Sequence, residues 1–256
     1  MKIQQYLSRI GFYGEAKPDR ETLEELLRCH LEQVPFENLE CYQNPHPMSL
    51  KIEDLYEKVV LHRRGGICFE LNGLFLWLLE SLGFDVYPIL VRIQMGSDKL
   101  EPISHQAMIV TLDGEKYYCD VGFGGPAPKG LIALDKRQIQ TVAGEEYRSV
   151  LRGCQYEIQW YHRNNWETLF SFVDLPAAQE DFEILMFYFS ACPDSEFVQC
   201  RLLNLCLPDG SLALTDHQFT KREGEHVTRF MLNTREESEE VIRKEFHIDL
   251  PIGLCK

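Results

Sequence analysis

The chain of 256 residues lacks the features that mark membrane, secreted and metal-binding proteins. Its longest apolar stretch, Leu71 to Leu82, is interrupted by Asn72 and Glu80 and is too short to span a bilayer. The first residues, MKIQQYLSRIGFYG, do not place a positive region before an apolar one, so we expect no signal peptide. The nine cysteines follow neither a CxxC nor a Cys/His zinc spacing. We therefore expect a cytoplasmic protein with free thiols and no bound metal.

The chain also has fewer basic than acidic residues, with 26 Lys and Arg, 40 Asp and Glu, and a net charge of −14. A field of this sign repels phosphate backbones and anionic lipid, which argues against nucleic acid or a membrane as the partner. Neither GxGxxG nor GxxxxGK[ST] occurs, so nucleotide binding by those loops is not expected. With 45% hydrophobic residues and no repeat or flexible linker, the chain is expected to fold as one body with a substantial core.

Hydrophobic spacing predicts helices in the N-terminal third and near the C-terminus. The predicted helices cover the leucines of 23–31, with Asp19 as the cap, then 52–61, 68–82, and a segment opened by the capping box Thr234-x-x-Glu237. From Phe84 onward the period approaches two, which indicates strands. The predicted strands are 86–93, 106–112, 116–121, 156–161 and 168–172, followed by two more at 197–207 and 211–214.

Cys68 follows Gly65 and Gly66 at the predicted start of a helix. Glycines let the backbone turn sharply and keep the thiol approachable. The unpaired N–H groups of a helix N-terminus stabilise a thiolate and are also possible donors to an oxyanion. This segment alone leaves two interpretations open, a nucleophile or a buried structural cysteine.

A base and a group that orients it come from the next two predicted strands. If Asp113-Gly114 forms a two-residue hairpin turn, opposed residue numbers sum to 227 and Ala107 faces Asp120. His105 then lies two residues from Ala107 on the same sheet face, with its Cα about 7–8 Å from that of Asp120. A three-residue turn would send Asp120 to the other face. On the two-residue register, Cys68, His105 and Asp120 have the composition of a nucleophile, base and orienting carboxylate.

These residues lie in motifs that resemble the arylamine N-acetyltransferases of the shorter bacterial type, nearly from end to end. The motifs are Tyr6-Leu7-x-Arg9-Ile10-Gly11, Val34-Pro35-Phe36-Glu37-Asn38-Leu39, Arg64-Gly65-Gly66-x-Cys68-x-Glu70-Leu71-Asn72, Asp120-Val121-Gly122-Phe123-Gly124-Gly125, and the segment from Phe187 to Phe197. The family's Cys-His-Asp triad falls on Cys68, His105 and Asp120. Gln106-Ala107-Met108 departs from the bulkier residues common in relatives, which bears on substrate preference.

The resemblance implies an α+β fold with a cysteine-protease or transglutaminase-like core. Its expected parts are an N-terminal helical bundle (1–83), a central antiparallel β-barrel-like domain (84–190) and a C-terminal α/β lid (191–256). It also implies a ping-pong reaction in which acetyl-CoA acylates Cys68. An arylamine, arylhydrazine or arylhydroxylamine then takes the acetyl group. Coenzyme A and aromatic amines are thus the expected partners.

The resemblance further suggests roles for residues beside the triad. Phe36 and Phe123 are candidates to line an aromatic-acceptor pocket, with ordinary core packing as the alternative. Gly124 and Gly125 are candidates for close approach to CoA, with a simple turn as the alternative. Two rival functions remain at this level: a cysteine hydrolase or transglutaminase-like enzyme, and a relative that only binds its ligands.

Overall fold

The computed structural model describes residues 1–134 and 138–249, and its N-terminal part is helical. The helices are α1 (Ile3–Arg9), α2 (Arg20–Gln33), α3 (Ile52–Tyr56), which continues as a π-helical segment (Glu57–Leu61), and α4 (Cys68–Ser81). The backbone N–H of Thr22 donates to the Asp19 side chain at 2.9 Å, so Asp19 caps α2 as predicted. The apolar face of α2 packs into the core, where Leu23, Leu26 and Leu27 are fully buried.

Helix α4 lies at the centre of the molecule and carries Cys68 as its first residue. Its apolar residues from Phe69 to Leu79 are almost all buried against α1, α3 and the large sheet. Gly83 follows the helix with a φ of 88°, a left-handed conformation that glycine adopts at little cost.

The middle of the chain forms an eight-stranded antiparallel sheet in the order β5-β4-β3-β2-β9-β8-β7-β6. Its strands are β2 (Asp85–Ile93), β3 (Ile103–Leu112), β4 (Glu115–Cys119), β5 (Ile132–Ala133), β6 (Gln140–Val142), β7 (Glu145–Arg152), β8 (Gln155–His162) and β9 (Asn165–Val173). The sheet curls until its two ends meet. The Gln140 side chain exchanges hydrogen bonds of 2.8 and 3.0 Å with the Ala133 backbone, and the Ser149 hydroxyl donates to the same carbonyl. The result is a nearly closed barrel.

The hairpin between β3 and β4 has the predicted register. Asp113 and Gly114 have φ values of 52° and 79°, the left-handed pair that a two-residue hairpin turn requires. Leu112 pairs with Glu115 and Met108 with Cys119, so the paired numbers sum to 227. The strand was predicted to reach Val121 but ends at Cys119. The Val121 N–H donates to the Asn72 side chain instead of continuing the strand pairing.

The C-terminal part differs most from the prediction. It contains α5 (Gln179–Ala191), α6 (Glu196–Gln199), β10 (Leu202–Leu207), β11 (Gly210–Thr215), β12 (Gln218–Glu223), β13 (His226–Met231) and α7 (Arg235–Glu245). The single strand expected over 197–207 was wrong at its start, because the Ser195 side chain accepts from the Phe197 N–H and caps a short helix. Helix α5 was not predicted, since its apolar residues surround the helix while only Phe182, Met186 and Ser190 are buried.

The second sheet has the order β1-β10-β11-β12-β13 and connects the C-terminal part to the helical part. Strand β1 (Phe36–Glu37) pairs with β10 on one side and bridges to Gly66 on the other. The segment before Cys68 is thereby joined to the C-terminal sheet. The α+β architecture is confirmed, while the exact division at residues 83 and 190 stays a prediction. Among the helices of the described residues, none is long and apolar enough to cross a bilayer.

Candidate active site

The backbone around Cys68 is tightly packed. A Cβ atom at Gly65 would lie 2.0 Å from the carbonyl oxygen of Pro35, and one at Gly66 would lie 2.7 Å from Oε2 of Glu70. Neither glycine has a positive φ; the left-handed residue of this segment is Arg63, at 53°. The two glycines therefore provide space for close packing rather than a sharp turn. They allow α4 to begin against β1, with Cys68 only 3% exposed.

The structure brings the three residues predicted as a triad together. Nε2 of His105 lies 2.7 Å from Oδ2 of Asp120, and both side chains are buried. The Cys68 thiol lies close enough to the His105 ring to contribute to the raised pKa of that imidazole. Because Nε2 faces Asp120, Nδ1 is the nitrogen left for the sulfur. The imidazole thus bridges a carboxylate and a thiol, the arrangement by which a base activates a nucleophile.

Asp120 is held by four hydrogen-bond donors. Oδ2 accepts from Nε2 of His105 and from the Tyr118 hydroxyl, at 2.7 and 2.9 Å. Oδ1 accepts from Nδ2 of Asn72 and from the Gly122 N–H, each at 2.9 Å. A buried carboxylate with this many donors stays ionised and fixed in orientation. Gly122 must be glycine here, because a Cβ would lie 2.9 Å from the Cα and carbonyl oxygen of Cys68.

The surroundings favour charge on both His105 and Asp120. Burial alone would lower the pKa of His105, but the Asp120 charge, the hydrogen bond with Asp120 and the nearby Cys68 raise it to about 10. Burial alone would raise the pKa of Asp120. The His105 charge, and hydrogen bonds from His105, Asn72 and Gly122, outweigh burial and keep that pKa below its ordinary value. A charged imidazole held by a carboxylate beside a cysteine is the arrangement of a Cys-His-Asp site.

A buried charge network lies beneath the start of α4. Nε of Arg64 donates to Oε1 of Glu37 at 2.9 Å, and the two side chains form a buried ion pair. Nζ of Lys58 lies 2.7 Å from Glu70 and 2.8 Å from Glu40. Oε2 of Glu70 accepts from the Ile67 N–H at 2.9 Å, directly before Cys68. The network anchors the first turn of α4, on which the position of the thiol depends.

A cleft of about 620 Å³ runs between the barrel, α2 and the C-terminal sheet. Phe36, Phe123 and Gly125 line it, and Asp120 reaches its wall from the triad. The Phe123 ring also lies edge-on to His105, with centroids 5.5 Å apart. Gly124 packs under Phe36, since a Cβ there would lie 2.6 Å from the ring. The two phenylalanines and Gly125 therefore border the cleft, while Gly124 serves the packing of Phe36.

Two side chains of this site escaped the sequence-based prediction, Asn72 and Tyr118. Asn72 lies four residues after Cys68 in α4, and Tyr118 lies two residues before Asp120 in the hairpin, so each shares a face with a predicted site residue. These two spacings were the signals from which the sequence could have predicted Asn72 and Tyr118 as site residues. Within residues 1–134 and 138–249, no group of three or more His, Cys, Asp or Glu side chains is arranged to hold a metal ion.

Comparison with known proteins points to one family. The model of a family described as N-acetyltransferase matches residues 19–255. The arylamine N-acetyltransferase of Escherichia coli K12 is 35% identical over 227 residues, which cover 88% of this chain and 80% of that relative. The human arylamine N-acetyltransferase 1 is 30% identical over 98% of this chain and 95% of its own length.

Solved structures agree with the sequence comparisons. The arylamine N-acetyltransferase of Salmonella typhimurium superimposes with a TM-score of 0.91 at 29% identity, covering 98% of this chain and 93% of that one. The Mycobacterium marinum enzyme, solved in complex with CoA, gives a TM-score of 0.89 at 29% identity, with 96% and 93% covered. The chain therefore belongs to the arylamine N-acetyltransferase family.

Proposed function

We propose that this protein transfers the acetyl group of acetyl-CoA to the nitrogen of arylamines and arylhydrazines, and to the oxygen of arylhydroxylamines. The reaction is ping-pong and passes through a thioester on Cys68. The observation that carries the proposal is the buried hydrogen bond between His105 and Asp120, with Cys68 beside the imidazole at the N-terminus of α4. Family membership supports acetyl transfer to arylamines, and the complex of the Mycobacterium marinum relative supports CoA as the carrier. A cytoplasmic location stays a prediction.

In the first half-reaction, the Cys68 thiolate attacks the thioester carbonyl of acetyl-CoA. A new C–S bond forms to Cys68, the bond to the CoA sulfur breaks, and the CoA thiolate leaves with a proton. His105 begins as the imidazolium partner of the Cys68 thiolate and is the proton source. A thiolate exchanging with a thioester replaces one C–S bond by another, so the step is close to balanced in energy.

In the second half-reaction, a neutral aromatic amine attacks the acetyl carbonyl on Cys68. The N–C bond forms, the C–S bond to Cys68 breaks, and the amine proton passes to the neutral imidazole of His105. The Cys68 thiolate and His105 imidazolium are restored together. Asp120 holds the ring so that the same nitrogen faces the sulfur in both half-reactions.

The cleft suits the two substrates by its lining. Phe36 and Phe123 present aromatic surface beside the triad, which fits an aromatic acceptor. Gly125 brings backbone to the cleft wall, and Lys129 and Arg222 line the same cleft and carry positive charge. We assign these two basic side chains and Gly125 to the phosphate-bearing part of CoA.

The test is incubation with acetyl-CoA followed by intact-mass measurement. We expect one added acetyl group on Cys68, removed on addition of an arylamine such as 4-aminosalicylate. The Cys68→Ser variant should show no adduct removable by arylamine, while the exposed control Cys154→Ser should behave as wild type. Turnover of peptides or glutamine side chains without an acetyl adduct would instead identify a hydrolase or transglutaminase. Binding of CoA without transfer would identify a ligand-binding relative.

A further inference from the structure

The Tyr118 hydroxyl shares an acceptor with the imidazole of His105. It donates to Oδ2 of Asp120 at 2.9 Å, and Nε2 of His105 contacts the same oxygen at 2.7 Å. Tyr118 is 1% exposed, and its pKa lies well above the ordinary value, mainly because of burial and then because of the nearby Asp120 charge. The hydroxyl therefore remains a neutral donor at every pH at which the protein works.

The ring of Tyr118 is held in one place by stacking. It stacks on both Phe170 and Phe172, with centroids 5.7 and 5.5 Å away and interplanar angles of 22° and 25°. His105 stacks on Phe170 at 5.8 Å and 21°. The two donors to Oδ2 thus belong to one aromatic column inside the barrel, which fixes the hydroxyl relative to the imidazole.

We propose that Tyr118 is a positioning residue that weakens the hold of Asp120 on the His105 proton, so that His105 can act as a base toward the acceptor amine. This inference rests on the proposed ping-pong function. A donor on Oδ2 draws negative charge away from the oxygen that His105 contacts. Without this donor, Asp120 would bind the imidazolium more strongly, and His105 would release its proton only at higher pH.

The two half-reactions should depend differently on this effect. Acylation begins from the thiolate and the imidazolium, so stronger retention of the proton by His105 does not impair the nucleophile. Deacylation needs the neutral imidazole, because the amine proton must move to His105 as the N–C bond forms. Loss of the Tyr118 hydroxyl should therefore slow the second half-reaction in particular.

The variant Tyr118→Phe keeps the stacked ring and removes the hydroxyl. Its matched control is Tyr117→Phe, the neighbouring residue, whose hydroxyl donates to Glu115 and not to Asp120. At pH 7 we expect arylamine-dependent deacylation to fall about three- to tenfold in Tyr118→Phe, from the loss of one hydrogen bond to a charged group, with acylation by acetyl-CoA little changed. The pH optimum of deacylation should rise by about half to one unit.

A second measurement reports on the resting protein. In protein labelled with ¹³C-histidine, NMR titration of His105 should show its proton lost at higher pH in Tyr118→Phe than in wild type. Site-specific 3-fluorotyrosine at position 118, whose more acidic hydroxyl is a stronger donor, should shift both measurements downward. This substitution retains the ring and hydroxyl, so it remains informative if Tyr118→Phe folds poorly.

Equal pH dependence in wild type and the two modified proteins, or shifts of the opposite sign, would overturn the role of Tyr118. A uniform loss of both half-reactions without a change of pH dependence would also overturn it, as it would indicate a structural role. Failure of wild type to form an acetyl adduct would contradict the proposed function, and the histidine titration would still decide the influence of Tyr118.

Discussion

The side-chain nitrogen of Asn72 lies 2.9 Å from Oδ1 of Asp120 and 2.6 Å from the carbonyl oxygen of Gln106. Its side-chain oxygen accepts from the Val121 N–H at 2.9 Å. One residue, a helical turn after Cys68, thus connects α4 to strand β3 and to the residues that directly follow β4. The distance from the thiol to the imidazole depends on this connection, since Cys68 lies on the helix and His105 and Asp120 belong to the hairpin.

The connection predicts a severe effect of Asn72→Asp. The substitution preserves size but replaces a donor to Asp120 with a second carboxylate, and like charges at this distance in a buried site repel strongly. We expect acetylation of Cys68 at pH 7 to fall about tenfold to a hundredfold, the value of a hydrogen bond to a charged group. The loss should be smaller at pH 5, because a protonated carboxyl can donate. Quenching the reaction at successive times and measuring the fraction of acetylated protein by intact mass gives the rate of acetylation.

The control for that variant is Asn44→Asp, at an exposed position. It adds the same charge away from the site and should leave the acetylation rate unchanged. An Asn72→Asp protein as active as this control would show that the helix–hairpin connection does not govern the reaction.

The pKa of His105 predicts a dependence of stability on pH. Its folded pKa of about 10 exceeds the ordinary value of 6.5, so the folded state binds the proton more tightly than the unfolded state. The resulting stabilisation is complete below pH 6.5 and is lost as the pH rises toward 10. The free energy of unfolding should fall by at most about 1.4 kcal/mol per pH unit from this group. Urea unfolding between pH 6.5 and 9 measures it.

His105→Gln is the matched variant for the pH series, since it cannot take up the proton. Its unfolding free energy should be lower than that of wild type at pH 6.5, and the difference should shrink toward pH 9. Parallel pH curves for the two proteins would mean that His105 is not the group responsible.

The buried pair of Lys58 and Glu70 predicts a non-additive effect on stability. Their side chains are 13% and 2% exposed, with Nζ of Lys58 2.7 Å from Oε1 of Glu70. Lys58→Met leaves the Glu70 carboxylate buried without its cation and should cost about 3–5 kcal/mol of unfolding free energy. The double variant Lys58→Met/Glu70→Gln should cost less than Lys58→Met alone, because no charge remains uncompensated at position 70. Urea denaturation of wild type, Lys58→Met, Glu70→Gln and the double variant provides the comparison, and simple additivity of the two single changes would refute the pairing.

Close packing of Gly124 on Phe36 predicts that their substitutions interact. In Gly124→Ala the new Cβ would lie 2.6 Å from the Phe36 ring, which must move, at a cost of about 1–3 kcal/mol. In the background of Phe36→Ala the same substitution should cost much less, because the ring is gone. Gly65→Ala is the contrasting case, since its Cβ would meet the Pro35 backbone at 2.0 Å and Phe36→Ala should not relieve it. Thermal unfolding of the single and double variants measures the coupling.

The sequence by itself determined the turns, the strand register and the helix starts, because these depend on residues that are close together along the chain. Asp113-Gly114 accepts the left-handed backbone of a two-residue turn, and that turn fixes the strand register. Side chains alternate along a strand, so the register alone placed His105 and Asp120 on one face. The start of α4 at Cys68 followed in the same way from helical periodicity and the preceding glycines.

Only the tertiary structure decided the contacts between segments far apart in the chain. Asn72 reaches Asp120 across 48 residues, and the Glu37–Arg64 pair joins β1 to the segment before α4. Tyr118 could be placed on the face of Asp120 from its spacing, but the aromatic column that holds it needs β9. The cleft is bounded by three parts of the fold. These contacts depend on how the helices and sheets pack against one another. Packing brings together residues that are far apart in the sequence, and hydrophobic periodicity and turn-forming residues report only on neighbours along the chain.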